Sequence, residues 1–173
     1  MPVRPWRRAA AAALLLLPLL LPPAPRGVAA EPAAYSLRNA LTGTCLHHTF
    51  GTAQVRLEPC EPGPEQRWQL RPQGAPGGGA AADVTAVNVA VFDPEKNAWG
   101  CVAIGDNWSI RYGQCGTTES AWSIPDGGDR SRVRSASELN DNDLYLTPTD
   151  SGWLGAQPGG ATVSADWLVD EAP

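Results

Sequence analysis

The chain has 173 residues, 43% hydrophobic and 18% charged, with a formal net charge of −5 and four cysteines. That length holds one ordinary domain behind a leader. The acidic balance argues against nucleic acid or heparin-type polymers as partners, because like charges repel.

Residues 1–30 read as a secretory signal peptide. Arg4, Arg7 and Arg8 open it, the apolar run Ala9 to Leu21 is broken only by Pro18, and Val28-Ala29-Ala30 offers a small-residue cleavage site. The run is shorter than the ~20 apolar residues a membrane span needs. This leader carries four of the 13 basic residues and none of the 18 acidic ones, so residues 31–173 hold nine basic side chains and a net charge of −9. No later stretch is apolar enough to anchor in a membrane. The expectation is a secreted, extracellular, monomeric protein without membrane contact.

Strand signals dominate the rest of the chain. Tyr35-Ser36-Leu37-Arg38 alternates and runs into Asn39, and Thr42-Gly43-Thr44 reads as a turn before Cys45-Leu46. Val55-Arg56-Leu57 and Trp68-Gln69-Leu70 are further strands. Pro72 to Ala82, rich in Gly and Ala, reads as a flexible loop. Val87, Val89 and Val91 then mark one face of a strand, Asp93-Pro94 a turn that also takes in Trp99, and Gly100-Cys101-Val102 and Ile110-Arg111-Tyr112 two more strands. A third stretch opens at Val133, turns at Asn140-Asp141-Asn142-Asp143 and continues as Leu144-Tyr145-Leu146. No segment has a sustained helical period.

These elements repeat. Trp68, Trp122 and Trp167 are each followed two residues later by an aliphatic, at spacings of 54 and 45. Cys45 and Cys101 lie 23 and 21 residues before their Trp, and Cys60 and Cys115 lie 8 and 7 before. In the third copy Tyr145 stands 22 residues before Trp167, and Gly159 or Gly160 replaces the second Cys. Units this small cannot bury their own apolar faces and must share a core. Of the three possible pairings of four cysteines, the register selects Cys45–Cys60 and Cys101–Cys115. Each closes a hairpin loop worth about 3 kcal/mol in the chain-entropy account. No CxxC spacing or Cys/His cluster suggests zinc, so no metal and no cofactor is expected.

Gly43-Thr44-Cys45-Leu46, Val55-Arg56-Leu57, Cys60 and Gln66-Arg67-Trp68 resemble one repeat of the ricin-type, or QxW, lectins. The resemblance implies an all-β fold, a β-trefoil of three pseudo-symmetric repeats over 31–173. The repeats run at about 35–71, 84–125 and 131–170, with 72–82 a loop and the three Trp in the core. It also implies a shallow sugar site per repeat, built from an Asp two residues after the first Cys, an aromatic two before the second, and an Asn before the QxW glutamine. A carboxylate accepts sugar hydroxyls while a ring stacks on the apolar sugar face. Here those stations hold His47, Glu58 and Glu65 in the first repeat, and Ala103, Gly113 and Glu119 in the second. In the third they hold Thr147, Gln157 and Ser164. The usual site is intact in none.

Other residues are candidates for binding. Phe50, Trp108 and Trp153 fall in hairpin loops beside small polar residues, where exposed rings suit sugar stacking or a protein interface. Asp150 could accept hydroxyls next to Trp153, and Gln66 either touches ligand or braces a hairpin. His47 and His48, neighbours on a strand, point to opposite faces and cannot share one metal. No nucleophile set is evident, and Glu58, Glu61 and Glu65 lie in a Pro-Gly turn, so no catalytic residue and no enzyme is expected. Asn107-Trp108-Ser109 is a glycosylation sequon. The function implied is a carbohydrate-binding, lectin-like module with degenerate sites and a glycan or polysaccharide partner. The alternative is a trefoil that binds or inhibits another protein.

Overall fold

The computed structural model describes residues 32–73, 86–125, 130–136, 143–158 and 163–172. The leader 1–30, the Asn140–Asn142 part of the third turn and Gly159-Gly160 lie outside them. The strands fall in three sets: β1 (Tyr35–Asn39), β2 (Cys45–His48), β3 (Val55–Glu58) and β4 (Gln69–Pro72); β5 (Ala86–Asp93), β6 (Ala98–Ile104), β7 (Ile110–Gly113) and β8 (Trp122–Ser123); then β9 (Ser131–Arg132), β10 (Arg134–Ser135), β11 (Leu144–Pro148), β12 (Leu154–Pro158) and β13 (Asp166–Glu171). Pro72, assigned to the loop by its composition, instead ends β4, paired with Val87 of β5.

The first and last strands of the sets close a ring. β1 pairs with β13, β13 with β9, β10 with β8, β8 with β5 and β5 with β4. The ring closes where Tyr35 and Trp68 exchange backbone bonds of 2.6 and 2.8 Å. A closed ring leaves no unpaired edge along these strands. The middle strands form three hairpins, β2–β3, β6–β7 and β11–β12.

The register is three-fold throughout. Arg38 faces Cys45, Ala90 faces Cys101 and Arg134 faces Tyr145. Across the hairpins, Cys45 faces Glu58, Cys101 faces Gly113 and Tyr145 faces Gln157. Tyr145 therefore takes the place of the first Cys. The indole Nε1 of Trp68 donates to Leu46 O at 3.0 Å, that of Trp122 to Val102 O at 2.8 Å, and that of Trp167 to Leu146 O at 2.9 Å. All three Trp are fully buried, so each ring supplies a large apolar area while its one polar atom is satisfied. Leu37, Val89 and Val133 repeat beneath them, also at 0% exposure. The three Trp and three aliphatic rows form one shared core. The architecture is a β-trefoil.

Two disulfides join Cys45 to Cys60 and Cys101 to Cys115. Short 3-10 turns, Pro64–Gln66, Thr118–Ser120 and Val163–Ala165, lead into the three Trp strands. The copies differ in one hairpin. In β1–β2 the turn starts at Asn39, whose Oδ1 accepts the Leu41 and Thr42 amides at 3.1 Å, and Gly43 takes the left-handed conformation (φ 70°) that side chains disfavour. In β5–β6 pairing continues through Val91–Gly100 and Phe92–Trp99 to Asp93–Ala98. Asp93 then makes the equivalent turn, with Oδ1 accepting Glu95 and Lys96 amides at 2.9 and 3.2 Å. Trp99 thus belongs to a strand and not to the turn expected for it, because the hairpin is longer than its counterpart.

Candidate functional site

A cleft of about 340 Å³ opens on the first repeat, lined by His47, Glu61, Pro62, Gly63, Glu65 and Gln66. Two constraints shape it. The Cys45–Cys60 bond ties the loop after β3 to the start of β2. Gln66 Oε1 accepts the Glu61 amide at 3.0 Å while its Nε2 donates to Pro59 O at 2.9 Å. With both amide atoms on backbone and only 5% of the residue exposed, Gln66 braces the loop. Alternation along β2 sends His47 into the cleft and His48 into the core. His47 Nδ1 is buried with no hydrogen-bond partner among the described residues. Burial lowers the pKa of its ring, against the opposing pull of Glu58 and Glu65, which leaves it neutral near pH 7. The Glu65 carboxylate lies over Gly63. The cleft thus joins a neutral imidazole lacking a partner to two carboxylates, a set able to donate to and accept from hydroxyl groups.

The other copies are not equivalent. Ala103 is 3% exposed and faces Arg111. Glu119 is held below the ordinary carboxylate range by a bond to its own backbone amide and by the Thr117 hydroxyl. Ser120, in the Gln66 place, donates instead to Asn88 Oδ1 at 3.0 Å. In the third repeat Thr147 is 3% exposed, whereas Gln157 is exposed and Ser164 half-buried.

The loop aromatics separate into two kinds. Trp108 and Trp153 are 45% and 52% exposed. Phe50, expected to be exposed, is half-buried against the core, its ring edge-on to His48 at 5.5 Å. Trp108 has φ 62° after Asn107 at 54°; Asn tolerates this region, but a bulky ring there is uncommon and costs about 1–2 kcal/mol. Ser109 bridges to Gly155, which brings the Trp108 loop against β12, immediately after Trp153. The Trp153 turn is fixed by Thr149, whose N and Oγ1 both donate to Trp153 O at 2.7 and 3.0 Å. Asp150 stands exposed at its tip.

One constellation was not legible in the sequence. His48 is fully buried, with Nδ1 donating to Gln54 O and Nε2 facing Asp93 Oδ2, both at 3.1 Å. The same Oδ2 accepts the Gly51 amide at 3.0 Å. Burial alone would raise the Asp93 pKa, but the His48, Gly51, Lys96 and Glu95 hydrogen bonds outweigh it and hold the carboxyl below the ordinary range. Tyr112 stacks on His48 at 4.0 Å. Its ring occupies the space a side chain at Gly100 would need, so Gly100 admits the stack. The pair is sealed from solvent and works as a fastening between the first two repeats. Among the described residues no group of three or more His, Cys, Asp or Glu could hold a metal ion.

No family model matches the sequence, and no curated protein is significantly similar to it. Solved structures do resemble the fold. The GlcNAcα1-4Gal releasing endo-β-galactosidase from Clostridium perfringens aligns with a TM-score of 0.60 at 13% identity, over 82% of this chain and 33% of that one. The Vibrio vulnificus hemolysin/cytolysin β-trefoil lectin, solved with N-acetyl-D-lactosamine bound, gives 0.57 at 15% identity, over 82% and 96%. The designed three-fold symmetric protein ThreeFoil gives 0.57 at 14% identity, over 80% and 98%. The chain spans a third of the galactosidase but nearly all of the other two. At such identities the likeness is one of fold, and the fold shared with the lectin and the symmetric design is the β-trefoil.

Proposed function

We propose that the protein is a secreted, lectin-like carbohydrate-binding module of ricin-type ancestry, with its most competent site in the first-repeat cleft. The observation that carries this reading is the open polar cleft whose lining joins the half-buried His47 ring to Glu61 and Glu65. A sugar hydroxyl would bond the exposed side of that imidazole while the carboxylates accept neighbouring hydroxyls. The cleft lies where the ricin-type resemblance expects a sugar, with His47 at the Asp station and Glu65 at the Asn station. A trefoil lectin of the same fold was solved with N-acetyl-D-lactosamine bound. Secretion is supported by the leader-like residues 1–30 and the two disulfides, since such bonds persist in oxidising compartments. No helix among the described residues is long and apolar enough to cross a membrane.

Trp108, Trp153 and Asp150 supply a second contact zone along the β7–β12 side, so that one polymer can engage several weak sites at once. The module acts by binding and not by cleaving. The protein-binding alternative rests on the same exposed rings, without the cleft.

A glycan array on the 31–173 domain, followed by affinity electrophoresis, tests the reading. His47→Ala and Glu65→Gln should each weaken binding at least tenfold, and Trp108→Ala with Trp153→Ala should lower retention on polysaccharide without lowering the Tm. Because the His47 pKa is already lowered, retention should stay level down to pH 6.5, about where a free histidine titrates, and fall only in more acid. Full retention by all four variants, or no glycan bound at all, would remove the proposal and leave the protein-binding alternative.

A further inference from the structure

The lengthened β5–β6 hairpin sets two aromatic rings on the outer surface of the barrel. Phe92 and Trp99 are cross-strand partners with centroids 5.6 Å apart, 38% and 39% exposed. The corresponding β1–β2 hairpin ends before reaching these positions. The rings border a cleft of about 280 Å³ that also takes in Arg67, Gln69 and Pro64. This cleft shares no lining residue with the first-repeat cleft, although both draw on the Gly63–Arg67 segment.

Its electrostatics run against those of the molecule. Residues 31–173 carry −9 overall, yet no acidic side chain lines this cleft. Among carboxylates adjacent to it in sequence, Glu65 lies over Gly63, Glu95 lies over Gly51 and Asp93 is buried on His48. Arg71 lies with its guanidinium 3.5 Å from the Trp99 ring centroid, and its Nε donates to Gln69 Oε1 at 2.9 Å. Neither Arg71 nor Arg67 meets a carboxylate among the described residues. A half-buried guanidinium held by a neutral amide and an aromatic face lacks a counter-charge. Its position is nevertheless fixed, because the ring and the amide hold the planar fork in place and leave the terminal N–H groups to donate.

We infer that this cleft binds an acidic saccharide, with the sugar carboxylate on the Arg67 guanidinium of its lining and on Arg71, which stands against the Trp99 ring at its border, and the apolar face of the sugar ring on Phe92 and the open part of Trp99. A planar carboxylate matches the guanidinium fork by two parallel hydrogen bonds. A pyranose supplies the flat CH face that an aromatic platform takes. The cleft is too open and too small to bury a folded segment, and Arg67 in its lining with Arg71 on the Trp99 ring selects charge where the first-repeat cleft, with its carboxylates, selects hydroxyls. The carboxylate can come from a uronic acid within a polysaccharide or from a terminal sialic acid. The inference takes its ligand class from the glycan-binding reading, but it concerns a different surface.

Isothermal titration of the 31–173 domain with hexagalacturonate, 3′-sialyllactose and neutral lactose tests it. At least one acidic probe should bind. Arg71→Gln should weaken that binding at least tenfold, and Arg67→Gln and Trp99→Ala should weaken it as well. Arg67→Gln alters an exposed side chain and keeps the fold, so the test survives if Trp99→Ala does not fold. Raising salt from 50 to 500 mM should weaken the acidic probe and not lactose. Which acidic probe binds identifies the source of the carboxylate. Lactose binding with no acidic saccharide bound, or acidic binding indifferent to Arg71→Gln and Arg67→Gln, overturns the inference and leaves the first-repeat proposal standing. Failure of all three probes together with an empty glycan array overturns both.

Discussion

His48 and Asp93 illustrate how far a single residue's role depends on what lies opposite it. In the three-fold register His48 occupies the place of Ile104 and Pro148, since each sits opposite an aliphatic, Val55, Ile110 or Leu154. Two copies fill this place with apolar groups, and the first fills it with a polar ring that must find partners in a dry site. Asp93, 45 residues away, provides one. Removing either member leaves the other buried without its ion-pair partner, so His48→Ala or Asp93→Asn should lower unfolding stability by about 3 kcal/mol or more in a denaturant titration. The Asp93 carboxyl titrates lower in the folded chain than in the unfolded one. Its contribution is therefore fully present above pH ~4, the ordinary carboxylate value, and is lost as the pH falls through the lowered folded pKa. Wild-type protein should lose stability on acidification more steeply than Asp93→Asn; parallel curves would refute this role.

At the scale of elements, the hairpins have diverged while the pairing order of the ring strands and the three core Trp have not. Two hairpins carry disulfides, enclosing separations of 15 and 14 residues. In the third, Tyr145 and Gln157 face each other instead. Replacing Cys45 and Cys60 together by serine should cost about 3 kcal/mol, as chain entropy predicts for a loop of this size. It should also loosen the first-repeat cleft, because its loop then hangs on Gln66 alone. Equilibrium unfolding measures the first effect and glycan titration the second. The extra pairs of β5–β6 are a further divergence. They carry Asp93 to His48 on one side and Phe92 and Trp99 to Arg71 on the other. The alternation of Val87, Val89 and Val91 identifies that strand in the sequence. Its longer partnering with β6 is not visible there, because hairpin length follows from where Asp93 finds its turn.

The whole molecule is held by three-fold repetition of one bond. Each core indole donates to the carbonyl one residue beyond the first-Cys station. Trp122→Phe keeps most of the buried area but strands the Val102 carbonyl in a dry core, so it should cost about 1–3 kcal/mol. The same substitution at Trp68 or Trp167 should cost a similar amount if the symmetry is energetic as well as geometric. Thermal unfolding of the three variants compares them, and a spread wider than twofold would show that the copies share a shape without sharing the load.

The sequence by itself determined the fold. The Trp spacings and the strand alternation recur three times and the Cys offsets twice, and with the resemblance of the first copy to a ricin-type repeat they imply three β units around one core. It also placed Phe50, Trp108 and Trp153 between the strands of the three hairpins, where they lie. Only the tertiary structure decided which of these face solvent. Phe50 turns inward because His48 offers it a ring to pack on, and Trp99 lies in a strand because a hairpin runs on. His48 finds Asp93, and Arg71 finds Trp99, across strands far apart in the chain. Periodicity reports the face a residue takes along its own strand, whereas a site depends on side chains that meet only after the ring has closed.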